Sequence, residues 1–319
     1  MLADHPFFNL SFVSASPSKR NKKISEVLNW LLPYPPPTNI PDMILEEPDY
    51  RLLEAAGISI VFSALPSDVA IDIEPILREK GMKVFSNSGA MRREHDVPIL
   101  IPEANLDSIC NIKKQRNKNK GFIITNANCS TTGLAIALAP LKKFEISKIF
   151  VSTYQSISGA GYPGVSSADI LNNAVPHIPN EEEKIIFELK KILDIDAEIY
   201  PHCVRIPTIY GHLENVWVEF GHDISPGQVI KAWNEFKLED YNLPSLPDKP
   251  VVYCEEPDMP QPRMSFYGTP PGMQVFTGRA RKQSNLIGFS LLINNIVRGA
   301  AGGSILNAEI YHRYLKEKI

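Results

Sequence analysis

The sequence predicts an α/β protein in two parts: a parallel sheet covered by helices, then an α+β unit. Up to residue 126, short apolar runs alternate with segments of helical period. Beyond that point strand patterns cluster, and a glycine-rich helical stretch follows the last of them. With 319 residues the chain is long enough for two cores.

LSFVSAS (10–16) and ISIVFSALP (58–66) read as short buried strands. SDVAIDIEPILREKG (67–81) reads as a helix, with Ser67 capping its start and Gly81 ending it. KVFSN (83–87), PILIPEA (98–104) and GFIITN (121–126) read as further strands, and such alternation implies a parallel sheet with both faces covered. The polar KKQRNKNKG (113–121) reads as a solvated loop. LLPYPPPTNIP (31–41) has P-x-x-P spacing, but Trp30, Leu31 and Leu32 beside it favour an ordered loop over a docking motif.

A helix over 130–143 is followed by the strand KIFVSTYQSIS and the helix NEEEKIIFELKKILD. EIYPHCVRI, HLENVWVEF, VVYCEE and a hairpin-like VFTGRARKQSNLIGFSLLI read as strands of an antiparallel or mixed sheet. The last element carries an apolar stripe through Ile296, Ala300, Ile305, Ile310 and Leu315. Gly299, Gly302 and Gly303 cost a helix about 1 kcal/mol each, so another part of the molecule is expected to approach that backbone closely.

A net charge of −3 with 22% charged residues argues against a partner that is nucleic acid or a membrane surface. No apolar run is long enough to span a bilayer, and MLADHPFF lacks the pattern of a secretory signal. Cys110, Cys129, Cys203 and Cys254 lie too far apart for a zinc or redox motif. Reduced thiols, no metal and a cytoplasmic location are the economical reading.

Cys129 lies in TNANCSTTGLAIALAPL, just before Ser130, Thr131, Thr132 and a helix-forming run. A thiol attacks as thiolate, and a helix N-terminus lowers its pKa. The residue reads equally as a nucleophile or as a buried structural cysteine. His212, at the start of a strong strand, is a base by type, and Arg205 seven residues earlier could anchor a carboxylate. Pro207 and Gly211 interrupt the pattern, so parity leaves open whether the two face the same way. SGAGYPG matches G-x-G-x-x-G at Gly159, Gly161 and Gly164, with Glu181 to Glu183 about 20 residues on. It stands in the second half, with Tyr162 and Pro163 inside the turn.

In order, NANCSTTG, STYQSISGAGYPG, NEEEKI, RIPTIYGHLENVWVEF and NNIVRGAAGGSILNAE resemble the aspartate-semialdehyde dehydrogenases, nearest to their archaeal and fungal branch. The resemblance spans essentially the whole chain. It implies a Rossmann-like NADP-binding domain (1–127 with 294–319) and an α+β catalytic and dimerisation domain (128–293). It implies reduction of L-aspartyl 4-phosphate to aspartate 4-semialdehyde with NADPH, serving lysine, threonine, methionine and isoleucine synthesis, in a homodimer or homotetramer. Cys129 then matches the nucleophile, His212 the acid/base and Gln155 the residue that orients the acyl intermediate. Arg205 matches the anchor of the substrate α-carboxylate, and Glu181 and Lys184 a pair lining the substrate site. Arg92 matches the arginine that receives the acyl phosphate, with Arg93 directly after it as the alternative. Asn295 and Gly299 match positions near the nicotinamide, and SGAGYPG falls in the substrate domain. Two separated arginines suit a substrate with a carboxylate and a phosphate.

The family opens with a strand and a glycine-rich turn that holds the pyrophosphate, whereas the first 60 residues here contain only Gly57. The resemblance therefore leads to the expectation of a chain incomplete at its N-terminus, lacking the first strand of the sheet. In SASPSKRNKK, Ser16, Ser18, Lys19 and Arg20 are candidates for the 2′-phosphate of NADP, with no Asp or Glu in the stretch. Ser63, in SALPSD, matches a family loop beside the cofactor. Malonyl-CoA reduction, known among archaeal relatives, and a non-catalytic protein on the same scaffold are the competing readings.

Overall fold

Three short strands, β1 (Ile60–Ser63), β2 (Lys83–Ser86) and β3 (Phe122–Thr125), pair in parallel in the order β1-β2-β3. The computed structural model describes residues 1–38, 43–115, 121–238 and 241–315, with side chains to 313. Parts of the two loops read from sequence, 39–41 and 116–120, lie outside the described residues, as does the Leu315 side chain.

β1 leads into α1 (Ser67–Glu79), which buries Ala70, Glu74 and Leu77. Ser67 is not its cap: Pro66 holds that position without a side-chain bond, and the Ser67 hydroxyl instead accepts from Ser88 Oγ at 3.3 Å. Gly81, at φ +90°, reverses the chain after it, as expected.

Two expected strands shrink to single bridges. Residues 10–16 pair only at Ser14, in parallel with Glu46, a partner the sequence pattern did not suggest. Residues 98–104 pair only at Ile99, with Thr125, because Pro102 starts a helical turn (Pro102–Asn105) and ends the extended run.

The second sheet is mixed and six-stranded, in the order β5-β4-β6-β9-β8-β7. Its strands are β4 (Ile146–Gln155), β5 (Glu198–Arg205), β6 (His212–Phe220), β7 (Val251–Cys254), β8 (Val275–Gln283) and β9 (Leu286–Ile293). On its inner face lies α2 (Cys129–Leu138), buried at every residue from Ser130 onward, which explains a sequence apolar nearly all round. A short 3-10 stretch, Ala139–Phe144, continues it around Pro140. Also against this core pack α3 (Glu181–Leu193) through Ile185, Leu189 and Ile192, and α4 (Pro226–Glu235) through Val229 and Trp233.

Period-2 alternation sorts the two faces of this sheet. β6 buries His212, Glu214, Val216, Val218 and Phe220 on the inside. On the outside a row of Tyr200, Phe150 and Trp217 crosses β5, β4 and β6 in register. Phe150 and Tyr200 stack at 5.0 Å between centroids, and the Arg281 guanidinium lies 4.5 Å from the Trp217 ring.

The chain returns to the first sheet through α5 (Gly302–Ile310), whose Leu306 and Ile310 join Phe85 and Phe122 in one core. A π-helical turn, Val297–Ala301, precedes it.

Candidate active site

Cys129 is the first residue of α2, and Asn128 caps that helix by accepting from the backbone N–H groups of Ser130 and Thr131 at 3.0 and 3.1 Å. The bare backbone of Gly299 lies directly against Cys129: a Cβ there would stand 2.8 Å from Cys129 Cβ. This is the close approach that the glycine-rich stretch called for, and any side chain at 299 would displace the sulfur-bearing residue.

His212 Nε2 lies 3.2 Å from Cys129 Sγ. Its other nitrogen, Nδ1, accepts from the Ser156 N–H at 3.1 Å, so the neutral ring carries its proton on Nε2, facing the sulfur. Asn295 braces this arrangement from behind. Its Oδ1 accepts from Ser156 Oγ at 3.1 Å and from the Gly211 N–H at 3.0 Å, and its Nδ2 donates to Ser158 Oγ at 2.9 Å.

Arg205 donates to the Ser156 carbonyl at 2.7 Å and is 6% exposed. The question of facing is answered by Gly159, where a Cβ would meet Arg205 Nη1 at 2.7 Å and His212 Cε1 at 3.0 Å. Both side chains converge on one glycine, so that loop serves this site. Gln155, at the end of β4, donates to Thr153 Oγ1 and to Glu181 Oε1 at 3.2 and 3.4 Å. Glu181 also accepts from Asn128 Nδ2 at 2.5 Å and meets Lys184 Nζ at 3.4 Å. Arg92 is buried and pairs with Glu188 at 2.9 Å, whereas Arg93 is exposed and lies over the Phe187 ring. Of the two neighbours, Arg92 is the one turned to the cluster.

The expected low thiol pKa is corrected. Packing around the sulfur pushes the Cys129 thiol up to about 12, with the charge of Glu181 adding to it. The Ser130 N–H and the charges of Arg92 and Arg205 pull the other way without prevailing. Burial pulls the His212 imidazole down to about 3, helped by Arg205. The pair is therefore neutral thiol and neutral imidazole.

Several groups here gave little sequence signal. Asn128 and Glu188 have one in retrospect, as a cap residue before Cys129 and as the position seven beyond Glu181 on α3. Glu214 follows His212 by two on the inner face and is fully buried. Among the described residues no hydrogen bond of ordinary length reaches either of its oxygens, and a polar neighbour is the Ser130 hydroxyl. Burial pushes this carboxyl well above the usual range, and Glu181 adds to the shift, which favours its protonated form.

The cofactor candidates lie elsewhere. Ser16 and Ser18 share a hydroxyl contact at 3.2 Å on an exposed turn with Lys19 and Arg20. The stretch has no carboxylate of its own, but the fold brings one: Glu47 pairs with Arg20 at 2.7 Å. Two hydroxyls, an ammonium and a guanidinium still make a donor set that fits a phosphate monoester. Ser63 ends β1 with its hydroxyl buried toward Glu74, while its carbonyl accepts from the Asn87 N–H at 2.8 Å. β1 and β2 both end in serine, and such carboxyl ends of parallel strands are where a nucleotide lies in open α/β sheets.

A thiol in contact with an imidazole and flanked by cations can take up an anionic acyl group. Beside a parallel nucleotide-type sheet, that describes an acyl-reducing dehydrogenase working through a thioester. Residues 1–112 match the semialdehyde dehydrogenase NAD-binding domain, and residues 138–298 match the semialdehyde dehydrogenase dimerisation domain. The chain belongs to the semialdehyde dehydrogenase family. It is 40% identical to the aspartate-semialdehyde dehydrogenase of Archaeoglobus fulgidus, over 100% of this chain and 94% of that protein. It is 35% identical to the NADP malonyl-CoA reductase of Metallosphaera sedula, over 97% and 92%. Its fold superposes on the aspartate-semialdehyde dehydrogenase of Candida albicans solved with NADP at a TM-score of 0.86 and 33% identity, covering 98% of this chain and 93% of that one.

Proposed function

We propose that this chain is an NADP-dependent aspartate-semialdehyde dehydrogenase, reducing L-aspartyl 4-phosphate in the synthesis of lysine, threonine, methionine and isoleucine. The observation that carries the reading is the 3.2 Å contact of Cys129 with His212, within the charge fields of Arg92 and Arg205. The nucleotide-binding unit is residues 1–127 with 294–319, and the catalytic unit is 128–293.

Arg205 holds the α-carboxylate and Arg92 the phosphoryl group, which places the acyl carbon at Cys129. The sulfur bonds to that carbon as the C–O bond to phosphate breaks, and the thiol proton leaves with the phosphate as hydrogen phosphate. Gln155 orients the resulting thioester. Ser16, Ser18, Lys19 and Arg20 would hold the 2′-phosphate of NADPH, with Ser63, Asn295 and Gly299 nearer its reacting end, and the cofactor would supply a hydride when bound. The Nε2–H of neutral His212 hydrogen-bonds the acyl oxygen and stabilises the negative charge that develops there. When the C–S bond breaks, the aldehyde forms and the sulfur leaves as thiolate, which takes a proton from solvent to restore the thiol. Glu181 and Lys184 line the substrate side.

A cytoplasmic homodimer fits this reading, with the aromatic row on the outer sheet face as the contact. Tyr200→Glu would bury a charge there and is expected to shift sedimentation from dimer to monomer; an unchanged dimer would place the contact elsewhere.

The deciding assay is phosphate-dependent NADP⁺ reduction with aspartate semialdehyde, run beside NADPH oxidation with malonyl-CoA. Turnover with the first alone supports the proposal. Turnover with malonyl-CoA alone would replace the substrate, and turnover with neither would leave a scaffold without this chemistry.

A further inference from the structure

Four charged residues of α3, namely Glu181, Lys184, Glu188 and Lys191, recur at i, i+3, i+7 and i+10 and so lie along one helix face. The first two belong to the substrate site proposed above. The other two do something different.

Glu188 is 1% exposed and divides its carboxylate between two partners. Oε1 takes the Arg92 guanidinium at 2.9 Å, and Oε2 takes the Asn128 N–H at 2.6 Å. One side chain thus joins a candidate phosphate-binding cation to the residue that caps the Cys129 helix. Lys191, one turn on, makes no carboxylate pair of its own in this cluster. Its Nζ donates to the carbonyls of Arg92, Glu94 and Val97 at 2.8, 2.9 and 3.0 Å, using all three of its protons. It therefore fixes the backbone of the loop that carries Arg92, while Glu188 fixes the guanidinium and Asn87 supplies a third hold through its carbonyl at 3.1 Å. Arg92 follows β2 of the parallel sheet, and α3 packs against the other sheet, so the contact bridges the two cores.

Stability alone is a weak reason for this arrangement. A buried ion pair gains little over well-packed apolar side chains, because both charges lose their water. Acyl transfer gives a better one. The reacting atoms must meet within about 3–3.5 Å, and a 1 Å misplacement costs on the order of 100-fold. We propose that Glu188 and Lys191 are positioning residues for the acyl-transfer step, holding Arg92 at a fixed distance from the capped start of the Cys129 helix. This rests on the reading of Arg92 as the phosphoryl partner.

The test uses the full chain with Glu188→Gln and Lys191→Met, and inorganic phosphate as the probe. Phosphate binding is followed by calorimetry. Both variants are expected to bind phosphate at least fivefold more weakly than wild type. In the oxidative assay the KM for phosphate should rise by the same factor, with the KM for aspartate semialdehyde unchanged. A merely structural role would lower activity and melting temperature together, with no selective change for phosphate, and would overturn the proposal. So would phosphate binding within twofold of wild type in both variants. Should Glu188→Gln fail to fold, Lys191→Met carries the same expectation. If the variants bind phosphate at least fivefold more weakly than wild type while aspartate semialdehyde is not turned over by wild type, the positioning stands and the substrate assignment falls.

Discussion

The catalytic core and the exposed turn at residues 16–20 treat their polar groups in opposite ways. Around Cys129 nearly every polar side chain is buried and already hydrogen-bonded within the site: His212 to the Ser156 N–H, Asn295 to the Gly211 N–H, Glu188 to the Arg92 guanidinium and the Asn128 N–H. At the turn, Ser16, Ser18, Lys19 and Arg20 are exposed, with one ion pair to Glu47 among them. The first region sets its geometry without help, in the manner of a preorganised site. The second offers charge and leaves the ordering to whatever it binds. Affinity there is expected to fall with salt, whereas buried contacts in the core are screened far less.

Four changes would break or sharpen this contrast. Cys129→Ser should reduce turnover to background with an unchanged circular dichroism spectrum, because the site's geometry does not depend on the sulfur. A near-normal rate would remove Cys129 as nucleophile. Arg205→Lys should raise the KM for aspartate semialdehyde roughly tenfold or more, since the ammonium cannot replace a two-pronged guanidinium; an unchanged KM would mean the carboxylate is held elsewhere. Lys19→Ala should raise the KM for NADP⁺ about fivefold at low salt and much less at high salt. Equal effects at both salts, or an effect on the KM for phosphate, would contradict an exposed electrostatic contact.

The smallest expected effect concerns Glu214. Its folded pKa is raised, so between the unfolded value and the folded one the native state holds a proton that the unfolded chain has lost. Stability from this group is present below the unfolded carboxyl pKa and declines as pH rises toward the folded one. The melting temperature of Glu214→Gln, which cannot ionise, should therefore gain on wild type as pH rises above the ordinary carboxylate range. A constant or shrinking difference would mean the carboxyl is ionised in the native protein. His212 has the opposite sign. With its folded value pulled down to about 3, it destabilises the native state as pH falls below the ordinary imidazole range.

How much of this was legible beforehand depended on range. The helix at 181–193, the strands of the second sheet and its β8–β9 hairpin announced themselves through period and spacing, but the order of the strands did not. Cys129, Gln155, Arg205 and His212 stand within short motifs, and the fold brings all four together. What failed was non-local. Residues 10–16 and 98–104 have strand-like composition but found only one bridging partner each, which no local pattern reports. Glu47 reaches Arg20 across 27 positions, and Glu188 reaches Arg92 across 96. The Cys129 thiol misled for another reason. A helix start lowers a thiol pKa, but the burial that accompanies a fully enclosed helix raises it more, and only packing tells which is larger.

That protonated thiol has a consequence for the enzyme at rest. Peroxide attacks thiolate, not thiol, so a cysteine held near pKa 12 is close to inert toward it at neutral pH. The exposed Cys110 is the side chain on which oxidants would act first. In the role proposed for Cys129, the burial that keeps the sulfur protonated would also protect it until a substrate arrives.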